Sequence, residues 1–137
     1  MAIDTSSELW KLTKERIGTE QEIWLTTTSA DGTPQPNPVW FIDEGQDLIV
    51  LSKPNQAKLG NIGRNPRSSV NFETSAHVQI LTGTARVETS GSLSPATWQR
   101  YVEKYAPGMS SINVTPEQFA AEYAAIIRFT PEKLRGW

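Results

Sequence analysis

The sequence has no cysteine and a single histidine, His77, in 137 residues. The first absence removes disulfides and thiolate chemistry, and it accords with a reducing cytoplasm. The second leaves a zinc site without its usual ligands. A Ser-His-Asp triad would need His77, but there is no Gly-x-Ser-x-Gly elbow. There is no Walker loop and no Gly-x-Gly-x-x-Gly opening a helix. No apolar run approaches 18 residues, so no membrane-spanning helix is expected. Met1-Ala2-Ile3-Asp4-Thr5 lacks a basic stretch followed by an apolar one, so no secretory leader is expected and a cytoplasmic location is. Glu8, Glu15, Glu20 and Glu22 read as a solvated helix face and loop rather than a general acid/base pair. No residue is marked as catalytic, and no metal site is marked.

What remains is a globular composition, 37% hydrophobic and 20% charged, at a length that suits one domain over residues 1–137. A net charge of −2 argues against nucleic acid as a partner. The charge is uneven, however. From Leu48 to Phe72 there is no Asp or Glu, while Lys53, Lys58, Arg64 and Arg67 fall inside that stretch.

The periodicities predict a first helix capped by Asp4, Thr5 or Ser6 and ending near Gly18. A strand over Glu22 to Thr28 follows, then an Asp31-Gly32 hairpin turn. The return strand runs from Thr33 to Asp43. Its prolines at 34, 36 and 38 place their missing N–H groups along one edge. A short apolar strand spans Leu48 to Ser52. A short helix spans Asn55 to Arg64, with Asn55 as its cap and Asn65-Pro66 as its stop. Ser68 to Thr74 and His77 to Thr89 read as strands, with a bulge or bend at Gly83. A helix opens at Pro95 and runs to about Tyr105, where Pro107-Gly108 breaks it. Thr115-Pro116 opens another, Ala124 to Phe129 forms a last strand, and Lys133 to Trp137 follows it. The sum is mainly β with flanking helices. About six antiparallel strands without regular strand–helix alternation favour a closed or partly closed barrel.

With so little side-chain chemistry, any catalysis here would rest on a bound cofactor. The basic stretch is its candidate holder. A helix start near Asn55 offers backbone N–H groups to an anion. Lys58, Asn61 and Arg64 recur at a spacing of three and so share a face. An ammonium and a guanidinium are the groups that grip phosphate. A plain basic surface helix accounts for the same pattern.

The run Ala57-Lys58-Leu59-Gly60-Asn61-Ile62-Gly63-Arg64-Asn65-Pro66-Arg67 resembles the Lys-x-x-Asn-Leu/Ile-x-Arg-Asn/Asp-Pro-Arg signature of the split-barrel flavin-binding superfamily. That superfamily includes the pyridoxamine-phosphate oxidases and the deazaflavin-dependent reductases. The surrounding order is similar too: Thr27 to Pro34, then Trp40-Phe41, Ser68 to Phe72, Leu81 to Ala85 and the closing Arg135-Gly136-Trp137. The resemblance implies an FMN-binding-type split β-barrel and a homodimer with the cofactor at its interface. It implies that Lys58 binds the cofactor phosphate, supported by Asn61 and Arg64, and that Ser52 and Lys53 contact the phosphate-bearing chain. Pro38, Val39 and Trp40 would lie against the ring system, with Gln79 on a neighbouring strand, and Trp98 or Trp137 would cover the partner's site.

One departure bears on the cofactor. Pyridoxamine-phosphate oxidases usually carry basic residues on the second strand, and Pro34 to Ile42 has none. The resemblance therefore leans toward the branch using coenzyme F420, a deazaflavin with a phosphodiester and an oligoglutamate tail. The expected function is hydride transfer between that cofactor and an unsaturated small molecule. An FMN-dependent oxidoreductase is the alternative. So is a non-catalytic carrier of flavin, haem or deazaflavin, for which His77 would be the available imidazole.

Overall fold

The computed structural model describes residues 3–72 and 76–137. The end of the strand expected over Ser68 to Thr74 lies outside the described residues, as do the first two residues of the chain.

Helix α1 covers Glu8–Thr19 and buries Trp10, Thr13 and Ile17, the helical-period positions of its sequence. Its cap is Ser7, whose hydroxyl accepts from Trp10 N–H. That corrects the expected cap at Asp4, Thr5 or Ser6. Asp4 instead accepts from the backbone N–H and hydroxyl of Ser6 in a turn ahead of the helix. Strand β1 (Ile23–Thr28) and strand β2 (Pro34–Val39) form the expected hairpin, with Gly32 at φ 90° in its turn.

The segment expected as one strand from Thr33 to Asp43 is two strands. β2 ends at Val39, and β3 covers Ile42–Glu44. The two lie at opposite ends of a seven-stranded antiparallel sheet ordered β2-β1-β5-β6-β7-β4-β3. Here β4 is Asp47–Ser52, β5 Arg67–Asn71, β6 Gln79–Glu88 and β7 Ala125–Gly136. Two residues, Trp40 and Phe41, join the outermost strands. Seven strands laid flat would put those edges about 29 Å apart at 4.8 Å per step. A linker of that length reaches only about 10 Å. The sheet must therefore curl until its edges approach, which is a split barrel.

The break has a local cause. Phe41 leaves the ladder because its backbone groups find side-chain partners. Its N–H donates to Tyr105 Oη at 2.8 Å, and its carbonyl accepts from Lys104 Nζ at 3.1 Å. The prolines at 34, 36 and 38 sit on the edge strand, as their missing donors require.

β7 is also longer than expected, running unbroken through Pro131 to Gly136. The ladder with β6 shifts register between Thr82 and Gly83, opposite Pro131. A Cβ on Gly83 would stand 2.1 Å from the Thr130 carbonyl oxygen, so only glycine allows this approach.

Two apolar clusters fill the molecule. One lies inside the barrel and includes Ile23, Leu25, Phe41, Val50, Val70, Leu81, Ile127 and Phe129. The other includes Ile42, Ile49, Tyr101, Tyr105, Met109, Phe119 and Ile126, and lies between the sheet and helices α3 (Pro95–Ser111) and α4 (Pro116–Glu122). α3 continues through Pro107, contrary to the break expected there. Met109, 1% exposed, anchors the turn beyond the proline in the second cluster. That burial outweighs the lost backbone bond. α4 carries a complete capping box between Thr115 and Gln118. No helix among the described residues is long and apolar enough to cross a membrane.

Candidate functional site

The acid-free stretch folds as β4, a short loop and helix α2 (Ala57–Arg64). The cap of α2 is Gln56, without a side-chain bond, rather than the expected Asn55. Beside this turn lies a cleft of about 380 Å³, within the range of cofactor sites. Its walls come from three places. Pro38, Val39 and Trp40 come from the end of β2 and the crossover. Leu51, Ser52, Lys53, Gln56 and Lys58 come from β4 and the start of α2. Tyr101 and Phe119 come from α3 and α4, and Ile112 and Tyr123 are the residues that end those two helices. Six of the nine expected site residues therefore meet here: Pro38, Val39, Trp40, Ser52, Lys53 and Lys58.

The four cations of the basic stretch have different fates. Lys53 Nζ pairs with Glu122 at 3.1 Å and lies 5.6 Å from the Tyr123 ring centre. The Glu122 carboxylate raises its pKa. Arg67 pairs with Glu132 at 3.1 Å. Arg64 donates to Asn61 Oδ1 at 2.7 Å and is exposed. Lys58 is half-buried and has no hydrogen-bond or ionic partner among the described residues. Burial pushes its pKa down, the mark of a charge taken from water without compensation. An anion in the cleft would supply that compensation.

Three expected site residues are not part of the lining. Asn61 is 3% exposed, and its amide donates to Thr27 Oγ1 at 3.1 Å and Gln35 Oε1 at 2.9 Å. It fastens α2 to the β1–β2 hairpin. Arg64 braces Asn61. Gln79 is buried and accepts from Arg16 Nη1 at 2.6 Å. His77 is exposed and does not line the cleft; its carbonyl accepts from the same Arg16.

Sequence reasoning placed Trp40 at the ring but missed the aromatic wall that α3 and α4 build around it. Trp40 stacks on Tyr105 at 4.5 Å and 5°, and on Phe119 at 5.6 Å and 18°. Phe119 stacks on Tyr123 at 4.2 Å, and Tyr101 packs against Trp98, Tyr105 and Phe119. The available signal was the spacing of Trp98, Tyr101 and Tyr105, then of Phe119 and Tyr123, which repeats every three or four residues. The cleft thus offers a flat apolar ligand a rigid aromatic face, with one unpaired ammonium nearby. Among the described residues its lining holds no carboxylate, imidazole or thioether.

Comparisons with known proteins agree with this architecture. The family profile for pyridoxamine 5'-phosphate oxidase matches residues 9–137. No curated protein sequence matches the chain. Among solved structures, an F420 reductase is similar at 19% identity and a TM-score of 0.70, covering 89% of this chain and 94% of its own. HutZ, the heme storage protein from Vibrio cholerae, is similar at 18% identity and a TM-score of 0.69, with 94% of each chain covered. General Stress Protein 26 from Bacillus anthracis is similar at 17% identity and a TM-score of 0.67, covering 95% of this chain and 94% of its own. At these identities the likenesses establish the fold.

Proposed function

The chain belongs to the pyridoxamine 5'-phosphate oxidase family, and from that membership we propose that its cleft holds a flavin-type cofactor, coenzyme F420, and that the protein is an oxidoreductase. The observation that carries this reading is Lys58: a half-buried ammonium without a partner among the described residues, on the wall of an aromatic cleft. In this reading Lys58 holds the phosphate. Ser52 and Gln56 line the path of the phosphate-bearing chain, and Trp40 with Pro38 and Val39 backs the ring. The cofactor, when bound, supplies hydride chemistry. The residues of the chain bind it, orient it and exclude water, and none is required as an acid or base.

The charge count favours the deazaflavin over FMN. Lys53 is neutralised by Glu122, and the edge strand Pro34–Val39 bears no cation. One free ammonium matches the single charge of a phosphodiester better than the near-double charge of a terminal phosphate. A second concavity, lined by Pro34 to Asn37, Gln56, Ala57 and Lys58, continues from the same lysine and would take the cofactor's tail. A small unsaturated molecule is the proposed substrate, and a cytoplasmic homodimer with the site at its interface is the proposed assembly. A haem carrier is the weaker reading, because His77 lies outside the cleft.

Equilibrium titration with both cofactors tests the assignment. Binding of F420 in preference to FMN is expected, and tight FMN binding without measurable F420 binding would overturn it. Single-turnover oxidation of the bound reduced cofactor by a panel of enones and quinones separates enzyme from carrier.

A further inference from the structure

Tyr101 belongs to α3 and forms part of the cleft's lining. The residue is 0% exposed, and its hydroxyl is the buried side-chain polar atom without a hydrogen-bond partner among the described residues. Its surroundings explain the vacancy. The ring is bounded by Trp98 at 5.8 Å, Tyr105 at 4.8 Å and Phe119 at 6.0 Å between centroids, three aromatic faces that offer no strong acceptor. Tyr105, one turn along the same helix, shows the contrast. Its hydroxyl accepts from Phe41 N–H at 2.8 Å and lies 2.8 Å from the Gln21 carbonyl oxygen and 2.9 Å from that of Phe41. Two tyrosines in one cluster thus have opposite standing: one ties helix to barrel, and the other leaves its donor unused.

A buried hydroxyl without a partner is costly, and folds normally satisfy such groups. Tyr101 is packed among aromatic rings and also lines the cleft, so a ligand held there is the nearby source of an acceptor. We infer that the Tyr101 hydroxyl is a ligand-binding donor, giving its hydrogen bond to a carbonyl or ring acceptor on the flat ligand held by the cleft. Burial raises its pKa, so the phenol keeps its proton across the working range and acts only as a donor or neutral acceptor. This role favours ligands that carry an acceptor on the ring itself over plain apolar rings of the same size.

The inference rests on reading the cleft as the cofactor's ring site, and the test separates the two. FMN and F420 are titrated into the wild-type protein, Tyr101→Phe and Tyr105→Phe, and each variant is also melted without ligand. Tyr101→Phe is expected to weaken binding of the preferred cofactor roughly three- to tenfold and to move the visible band of the bound chromophore. It should leave the ligand-free melting temperature unchanged or higher, since it removes an unsatisfied group. Tyr105→Phe should lower the melting temperature. If Tyr101→Phe binds both cofactors like wild type with an unmoved band, the inference is wrong while the cleft assignment stands. If Tyr101→Phe melts lower without ligand and binds unchanged, the hydroxyl serves the fold through a buried water and the inference is wrong. If wild-type protein binds neither cofactor, the cleft assignment fails and takes the inference with it.

Discussion

Lys53 and Lys58 line the same cleft, five residues apart, but among the described residues only Lys53 has a counter-charge: Glu122 Oε1 lies 3.1 Å from its ammonium. The pair makes a differential prediction. The ion pair is exposed and adds little to stability, but it occupies the Lys53 ammonium with a carboxylate that repels an incoming phosphate. Lys53→Ala should therefore change cofactor affinity less than about fivefold, well below the loss for Lys58→Ala. Parallel titrations of the two variants check the order, and a larger loss at Lys53 would reverse the assignment of the phosphate holder.

Asn61 is expected to act on stability rather than on the ligand. Its amide donates to Thr27 and Gln35, and its carbonyl accepts from Arg64. Asn61→Ala leaves three partners short at a buried junction, at a cost of about 2 kcal/mol. Urea unfolding should show that loss. Among folded molecules, cofactor affinity should fall less than for Lys58→Ala.

Gly108 packs against the aromatic wall, at Trp40, and not against Lys58. A Cβ there would stand 2.9 Å from the Trp40 indole. The indole cannot easily yield, since Tyr105 and Phe119 stack against it. Gly108→Ala should cost about 1–2 kcal/mol and alter Trp40's fluorescence. It should also weaken ring binding without altering the salt dependence that reports the phosphate contact.

Much of this architecture was legible in the chain. Alternating prolines announced an edge strand, Asp31-Gly32 a hairpin and Gly83 a bulge, because each of those residues answers to local backbone geometry. What was not legible depends on distant partners. Phe41 leaves the strand because Tyr105 and Lys104, more than sixty residues on, take its backbone groups. α3 passes Pro107 because Met109 is buried against another element. The site divides the same way. Ser52, Lys53 and Lys58 share one cleft because strand end and helix start are adjacent in sequence, and Pro38, Val39 and Trp40 join them from the end of β2 and the crossover. The spacing of Lys58, Asn61 and Arg64 did not reveal that the hairpin claims Asn61. The wall on α3 and α4 is brought in by tertiary packing alone.

Acid should loosen the molecule through one cluster. Arg128, on β7, binds Glu44 at 2.8 Å, Glu88 at 3.0 Å and Asp47 at 3.2 Å. Glu44 also accepts from Thr97 at 2.6 Å, the bond that tethers α3 to β3. That Thr97 bond leads in lowering the Glu44 pKa from 4.5, with Arg128 adding to it. For Glu88, burial works to raise the value, and bonds from Arg128 and Arg86 outweigh it. Both folded values lie below the unfolded ones. Their stabilisation is thus full above about pH 4.5 and is lost as pH falls through the folded values. Thermal melts should drop below that pH. Arg128→Ala, which leaves three carboxylates facing one another, should lower stability by about 2–4 kcal/mol at neutral pH and flatten the acid limb.

The central claim is that Lys58 holds a phosphate, and a comparison of ligands with and without that group tests it most directly. Affinities of wild type and Lys58→Ala are measured for F420, FMN and riboflavin, which lacks the phosphate. Losing one charged contact should cost about 1.5–3 kcal/mol, or roughly tenfold to more than a hundredfold. That loss is expected for the two phosphate-bearing ligands, with riboflavin affinity unchanged. An equal loss for all three, or no loss for any with the variant folded, would contradict the claim.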